Sequence, residues 1–470
     1  MPAAENPTKT GAPSLVRGLT LLDSVLLLVG GIVGSSIFLT AKDIAGVLPS
    51  PALFLLVWVF GGVISLFACF AFAEMAAMFP DSGGQYVYMR EAYGDFVGFL
   101  YGWMIFWVSN GGSIAALAVA SAEYMGAIVP AISSQHIVLS AARFSVNRAQ
   151  LVAVGMIAFM TWMNVVGLRR GAVLQNLATW AKFAAIAVFV LLGLAIGKGS
   201  WSNFAAAGTA GFTGGLTPMQ LVPLVGVALI AVFWAYDGWV YITWVGGEVK
   251  HPQKTIPQAL MLGIVTVTVL YIAMNVMYVY AMPYSEIKNY TTIAHASAGR
   301  LFSSRAAVWL SLAIAVSCFG AAASCTLSGG RVYYAMARDG VFFKSMAKVH
   351  PRWRTPAISL IWQGAWSAAL ALSGRYDQLY TYVMFMMVLS YVAAVVALFV
   401  LRWKRPEMPR PYRCTGYPWL PAIYILVAGT WALNTVYARP KEALSGVVIV
   451  LIGVPGYLYW RQRNKRAAEL

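Results

Sequence analysis

The sequence predicts an all-α integral membrane protein of about twelve transmembrane helices. Three observations lead there. Of 470 residues, 60% are hydrophobic and only 10% are charged, whereas a soluble domain carries about 25% charge. Apolar runs near the ~20 residues that a spanning helix needs recur along the whole chain. Two of those runs, around Gly34 and around Asp237, are interrupted by residues that a continuous membrane helix does not favour.

The expected spans are 19–47, 51–79, 95–127, 149–167, 173–197, 220–246, 257–282, 303–336, 355–373, 379–402, 419–437 and 442–460. They divide the chain into a cytosolic tail (1–18), a membrane core (19–402, two halves at about 19–197 and 220–402), two accessory helices with a preceding basic loop (403–461) and a second tail (462–470). The first tail is polar and carries Pro2, Pro7 and Pro13. The first span is too long for the apolar region of a signal peptide, so no cleavage is expected.

A net charge of +17 invites a nucleic-acid reading. The membrane reading explains it better, because Lys and Arg collect on cytoplasmic loops. Roughly 22 of the 33 Lys and Arg residues fall on the tails and on the loops that share their side, and about 9 on the other side. Both termini are therefore expected in the cytoplasm. The four cysteines, Cys69, Cys318, Cys325 and Cys414, are scattered and suggest neither a disulfide framework nor a metal site. The histidines all fall in expected loops. No metal, cofactor or nucleic-acid partner is expected. The partner expected from composition is the lipid bilayer.

The first interrupted span contains Gly30-Gly31-Ile32-Val33-Gly34-Ser35-Ser36-Ile37-Phe38. Each glycine costs about 1 kcal/mol against alanine in a helix interior. Irregular backbone at membrane depth persists where it is buried in protein or lines a wet cavity. About 200 residues on comes Phe233-Trp234-Ala235-Tyr236-Asp237-Gly238-Trp239, with an acid and a glycine in mid-span. Each of these broken spans opens one of two five-helix halves. That arrangement points to an inverted repeat with a binding site between the breaks.

Such a site suits a zwitterion. Backbone N–H groups at the start of a half-helix attract a carboxylate, and the helix dipole reinforces them. Gly34, Ser35, Ser36 and Ile37 are the expected donors. Carbonyls at a half-helix end attract an ammonium. Phe233, Trp234 and Tyr236 are the expected acceptors, with Val33 and Ile32 added from the first span. Read alone, Gly30 and Gly34 also fit a small-residue helix contact.

At these residues the chain resembles the amino acid–polyamine–organocation transporter superfamily, and within it the prokaryotic members of the L-type amino acid transporter branch. Gly31 to Phe38 resembles that branch's G-S-G-I-F motif. Ala73-Glu74 with Pro80-Asp81-Ser82-Gly83-Gly84-Gln85-Tyr86-Val87-Tyr88 is similar to its A-E-L and P-x-S-G-G-x-Y-x-Y signatures. Phe233 to Trp239 with Gly247-Glu248-Val249-Lys250-His251-Pro252 resembles F-x-A-Y-x-G-W and E-E-x-x-N-P, and Ala337-Arg338-Asp339-Gly340 resembles G-R-E-G. The resemblance covers about residues 15–460. It implies a leucine-transporter-type fold, amino acid transport and no enzymatic activity.

The resemblance also implies roles for single residues. Trp234 takes the place of an aromatic gate. Ser36 stands where glycine is common, which adds a hydroxyl and removes space. Val240 stands where some relatives carry asparagine. A lysine in the fifth span occupies a sodium position in that branch; Lys182 matches it and implies sodium independence. A lysine in mid-span needs a partner or a cavity. The expected partners are carbonyls near Gly31, Ile32 or Gly34, or the hydroxyls of Ser317 and Ser324; the alternative is a side chain snorkelling to the interface. Eukaryotic members of the branch have a cysteine in the third loop for a heavy subunit. Residues 128–148 contain none, so no covalent heavy subunit is expected and the chain is read as an inner-membrane protein.

Asp237 has two readings, a cap for freed N–H groups in the second break or a counter-charge for a cationic substrate. Glu74, Glu123, Lys42 and Asp43 fall near span ends and are read as ordering them, Glu74 by pairing with Arg90 or a loop base. Asp81, Glu248, Arg338 and Asp339 are read as cytoplasmic charges available for gate ion pairs. The leading function is sodium-independent exchange of neutral L-amino acids by alternating access. Proton-coupled symport through Lys182 and transport of cationic amino acids or polyamines are the alternatives. A membrane enzyme lacks a reactive cluster within the spans, and a sensor lacks a soluble output domain.

Overall fold

Thr20 starts the first helix. Its hydroxyl accepts from the N–H of Asp23, and the Asp23 carboxylate accepts from the N–H of Thr20 at 2.9 Å, a reciprocal cap. The computed structural model describes residues 14–126, 128–141, 144–205, 213–290, 292–373, 376–438 and 440–468. Most of the expected N-terminal tail, 1–18, and the last residues of the expected C-terminal tail, 462–470, lie outside the described residues.

The first broken span comprises α1 (Leu21–Ile32), α2 (Ser36–Leu39) and α3 (Ala41–Val47). Ser50 caps α4 (Pro51–Met78), which has proline at its first turn, where no N–H is required. A turn leads to α5 (Gln85–Tyr93) and α6 (Asp95–Met104); a π turn (Ile105–Ser109) joins α6 to α7 (Asn110–Gly126). A short antiparallel hairpin of β1 (Ile137–Ala141) and β2 (Phe144–Asn147) follows. Asn147 and Gln150 form a second reciprocal cap at the head of α8 (Arg148–Val165), and α9 (Leu168–Ile196) follows.

Next come α10 (Pro218–Ala235) and α11 (Tyr241–Trp244), the second broken span. Then come α12 (Pro252–Ala281), the short α13 (Tyr284–Ile287) and α14 (Ile293–Leu301), and the 35-residue α15 (Ser304–Arg338). The chain continues through α16 (Ala357–Ser373), α17 (Tyr376–Lys404), α18 (Trp419–Ala438), α19 (Pro440–Leu451) and α20 (Gly453–Ala468).

Among the described residues, nine helical stretches are long and apolar enough to cross a bilayer, and Ala357–Ser373 and Trp419–Asn434 are shorter apolar helices. Two expected spans differ from this picture. The stretch at 149–167 is helical as α8 but is not one of the nine. The stretch at 220–246 is continuous only to Ala235, because Gly238 adopts φ 113° and ends the regular helix.

The packing centres on the broken helices. α1 lies against α9, α12 and α15. Around them α4 packs along α12, α7 along α15 and α8 along α16, while α18 to α20 sit at the side against α4, α6 and α17. The apolar core is almost wholly one contiguous cluster that includes the residues of both breaks.

Candidate functional site

The first helix ends because Val33 leaves the helical region, at ψ 82°, and Gly34 and Ser35 bend before α2 begins. The Gly34 N–H turns back to the Ile32 carbonyl at 2.8 Å. This corrects the expectation that Gly34 offers a free donor. Among the described residues, the N–H groups of Ser35, Ser36 and Ile37 have no acceptor. On the second break the Asp237 N–H bonds to the Trp234 carbonyl at 3.1 Å, while the carbonyls of Gly31, Phe233 and Tyr236 accept no hydrogen bond among the described residues. Unpaired donors and unpaired acceptors thus occur at the paired breaks, at a depth where each such group normally has a partner.

The two breaks touch. A Cβ on Gly238 would lie 2.9 Å from the carbonyl carbon and oxygen of Gly31. Beside this contact is a cavity of ≈ 220 Å³. Of the expected residues, Ile32, Gly34, Ser35, Ser36, Trp234 and Asp237 line it. The sequence reading missed Gly31, Leu39, Ser113, Ala116, Leu117, Ala120 and Tyr241, which complete the wall. Ser113, Ala116, Leu117 and Ala120 form one face of α7 at helical spacing. The available signal was the small-residue run beginning at Gly111-Gly112-Ser113.

Four expected residues stand outside the lining. Ile37 is fully buried, and its carbonyl accepts from the Tyr278 hydroxyl at 3.3 Å. The Val33 carbonyl accepts from Lys182 and Ser317. Phe233 faces a second, small cavity shared with Ser65, Asp237 and Tyr391. The Tyr236 hydroxyl donates to the Trp58 carbonyl at 2.9 Å. The reason is geometric: consecutive residues near a helix end project in different directions and cannot all face one cavity.

Lys182 is buried and does not snorkel. Its ammonium donates to the carbonyls of Gly30 and Val33, each at 2.6 Å. These replace the expected carbonyls of Gly31, Ile32 and Gly34. Ser317 shares the Val33 carbonyl at 3.0 Å, and Ser324 bonds instead to Gly320 on its own helix. Asp237 accepts from the Tyr391 hydroxyl and from the Gly238 N–H. It therefore satisfies a donor inside the break, while the first turn of α11 has no side-chain cap. Tyr271, another residue that sequence reasoning missed, lies between the helix ends: its hydroxyl is 3.1 Å from the Ile32 carbonyl and 2.7 Å from the Ala235 carbonyl.

Ion pairs cluster on the side reached by α4's C-terminus. Glu248 and Arg331 are fully buried and doubly bonded, at 2.6 and 3.1 Å. Arg90 pairs with Asp339. Glu74 holds Arg402 and Arg410 and accepts from the Cys414 N–H, so its partners are bases of the α17 end and the loop after it, and not Arg90. Asp81 and Arg338 make no ion pair among the described residues.

Two broken helices that meet beside a cavity inside an apolar bundle define a multi-pass membrane transporter. The chain matches the family model described as amino acid permease over residues 19–455, and it belongs to that family. It is an amino acid transporter and not an enzyme. It is 29% identical to the b(0,+)-type amino acid transporter 1 of Mus musculus over 98% of this chain and 92% of that one. It is 29% identical to the serine/threonine exchanger SteT of Bacillus subtilis, over 96% and 98%. It is 28% identical to the large neutral amino acids transporter small subunit 2 of Mus musculus, over 99% and 85%.

Proposed function

We propose that the chain exchanges neutral L-amino acids by alternating access, without sodium, in the cell inner membrane. The cavity between the breaks carries this reading. The substrate carboxylate sits at the free N–H groups of Ser35, Ser36 and Ile37, with the Ser36 hydroxyl as a further donor. The ammonium sits toward the free carbonyls of the breaks, with Gly31 the one that lines the cavity. Trp234 closes over the bound substrate. A volume of ≈ 220 Å³ falls below the ~300–1,000 Å³ of drug-sized ligand pockets, which suits a small amino acid. Relatives named for serine/threonine exchange and for large neutral amino acids support neutral selectivity.

Sodium independence rests on Lys182. Its ammonium already supplies positive charge to the Gly30 and Val33 carbonyls. The fold is read as a five-plus-five inverted repeat, 19–197 and 220–402, within twelve crossings. The pairing of α4 with α12, α7 with α15 and α8 with α16 supports it, because each pair joins equivalent elements of the two halves. The distribution of Lys and Arg supports cytoplasmic termini. In that orientation the buried Glu248–Arg331 pair lies on the cytoplasmic side, and the α7 face of the cavity lies toward the outside, which fits an outward-facing arrangement. All four cysteines are buried, so none offers an exposed thiol for a covalent heavy subunit.

Counterflow in proteoliposomes tests the reading. Labelled neutral amino acids should enter only when unlabelled substrate is inside, with or without sodium and with or without a pH gradient. Strict sodium dependence would refute the role of Lys182. Uptake driven by a proton gradient into empty vesicles would replace exchange with symport.

A further inference from the structure

An apolar groove of ≈ 490 Å³ runs down the outside of the bundle between α9, α14 and α15. Val188 and Leu192 form one bank and Ala306 and Trp309 the other, while Phe189 and Phe302 meet edge to face at 6.4 Å at its upper end. Along α9 it extends from Ala184 to Leu192, roughly 12 Å at the helical rise. That is most of the ~15 Å that one leaflet contributes to a bilayer core. Trp309 is 71% exposed on this face, which places an interfacial aromatic beside the groove.

Charge and depth distinguish this groove from an ordinary lipid-facing surface. At its mouth Lys198 follows α9 and Arg305 lies in the first turn of α15. Both are exposed, and neither has an acidic partner among the described residues. The Lys198 N–H bonds to the Leu301 carbonyl at 3.0 Å, which places the Lys198 backbone next to Phe302 and leaves its exposed side chain within reach of the mouth. At the opposite end, Ala185, Leu310 and Ala313 line both the groove and a small inner cavity. The inner cavity also contains Lys182 and Ser317, the two side chains that hold the Val33 carbonyl.

We propose that the groove is a binding site for an anionic phospholipid. One acyl chain lies between α9 and α15 and the phosphate meets Lys198 and Arg305. The inner end of the chain backs the wall behind Lys182, so an occupied groove supports the break and raises the exchange rate. The site rests on α9 and α15 crossing the bilayer. It lies in the outer leaflet under the orientation proposed above, but its existence does not depend on that orientation or on the substrate.

The test uses the full chain in vesicles of phosphatidylcholine with increasing phosphatidylglycerol, doped with a phosphatidylglycerol that carries a photoreactive acyl chain. Adducts mapped by peptide mass spectrometry should concentrate on residues 184–192 and 306–313, and exchange should rise with the phosphatidylglycerol fraction. Val188→Trp fills the groove from an exposed position and should lower adduct yield there several-fold. Should that variant fold poorly, Lys198→Glu with Arg305→Glu changes only exposed side chains. It should reduce the preference for phosphatidylglycerol over phosphatidylcholine by about fivefold per residue. Adducts spread evenly over other exposed membrane faces, such as those of Leu177 and Leu262, would overturn the site. An unchanged headgroup preference in the double variant would overturn the assignment of the phosphate. Exchange indifferent to phosphatidylglycerol in the presence of localised adducts would overturn the coupling to Lys182.

Discussion

The ammonium of Lys182 lies 2.6 Å from the carbonyl oxygen of Val33, the residue at which α1 loses its helical geometry. It lies at the same distance from Gly30, one turn earlier. One side chain from α9 thus satisfies two carbonyls that the break has released. Hydrogen bonds involving a charged group contribute about 1.5–3 kcal/mol each. Lys182→Ala should therefore lower exchange on the order of 10- to 100-fold, with near-normal yield of protein in the membrane. Transport kinetics in proteoliposomes, set against expression, check this; unchanged kinetics would mean that the lysine is structural only.

Ser36 lines the cavity at the start of α2, where its hydroxyl takes up room beside the expected carboxylate position. Ser36→Gly restores that room and removes a donor. A methylene's worth of space in an apolar pocket changes discrimination by about 10-fold or more. The ratio of leucine to alanine exchange should rise by about that factor. Competition against a series of neutral amino acids of increasing size measures it, and an unaltered ranking would remove Ser36 from the selectivity determinants.

Gly238 combines a φ of 113° with backbone contact to Gly31. Gly238→Ala meets both constraints at once: about 1–2 kcal/mol for the left-handed backbone, and displacement of one broken helix from the other. Exchange should fall on the order of 100-fold. Gly215→Ala is the comparison, since Gly215 also has positive φ, 78°, but nothing lies within 4 Å of its added Cβ. It should cost stability without the same loss of transport.

Glu248 and Arg331 form an ion pair with both side chains at 0% exposure. Removing one partner leaves the other charge buried and costs about 3–5 kcal/mol, whereas replacing both with apolar residues is often close to neutral. Glu248→Gln and Arg331→Met should each lower thermal stability in detergent strongly, and Glu248→Leu with Arg331→Met should recover much of the loss. If the pair also closes the cytoplasmic side, the double variant should be stable yet exchange more slowly. Equal effects in single and double variants would show that the two residues are not coupled.

Much of the architecture is legible in the linear chain because membrane burial leaves a coarse signal. Apolar runs of the required length mark most of the helices, and glycine or an acid within them marks the two breaks. Lys182 is legible for the same reason: a base in mid-span must find a partner. The wall supplied by α7 is legible only as a small-residue run. Ser113, Ala116 and Ala120 are small residues of a kind common in any tightly packed membrane helix, and nothing local indicates that they face a cavity. The partner of Arg331 is hidden too, because Glu248 is 83 residues away in sequence.

The sequence by itself determined the class of fold, the positions of both breaks, the need to satisfy Lys182 and most of the break residues that line the cavity. It did so because each of these follows from the local cost of polar groups in an apolar medium. Tertiary structure decided which carbonyls Lys182 takes, which face of α7 closes the cavity, and that Tyr271 lies between Ile32 and Ala235. Those choices depend on how helices distant in sequence cross and rotate against one another. An ångström's difference in that packing decides whether a carbonyl such as Gly31 stays free or is used.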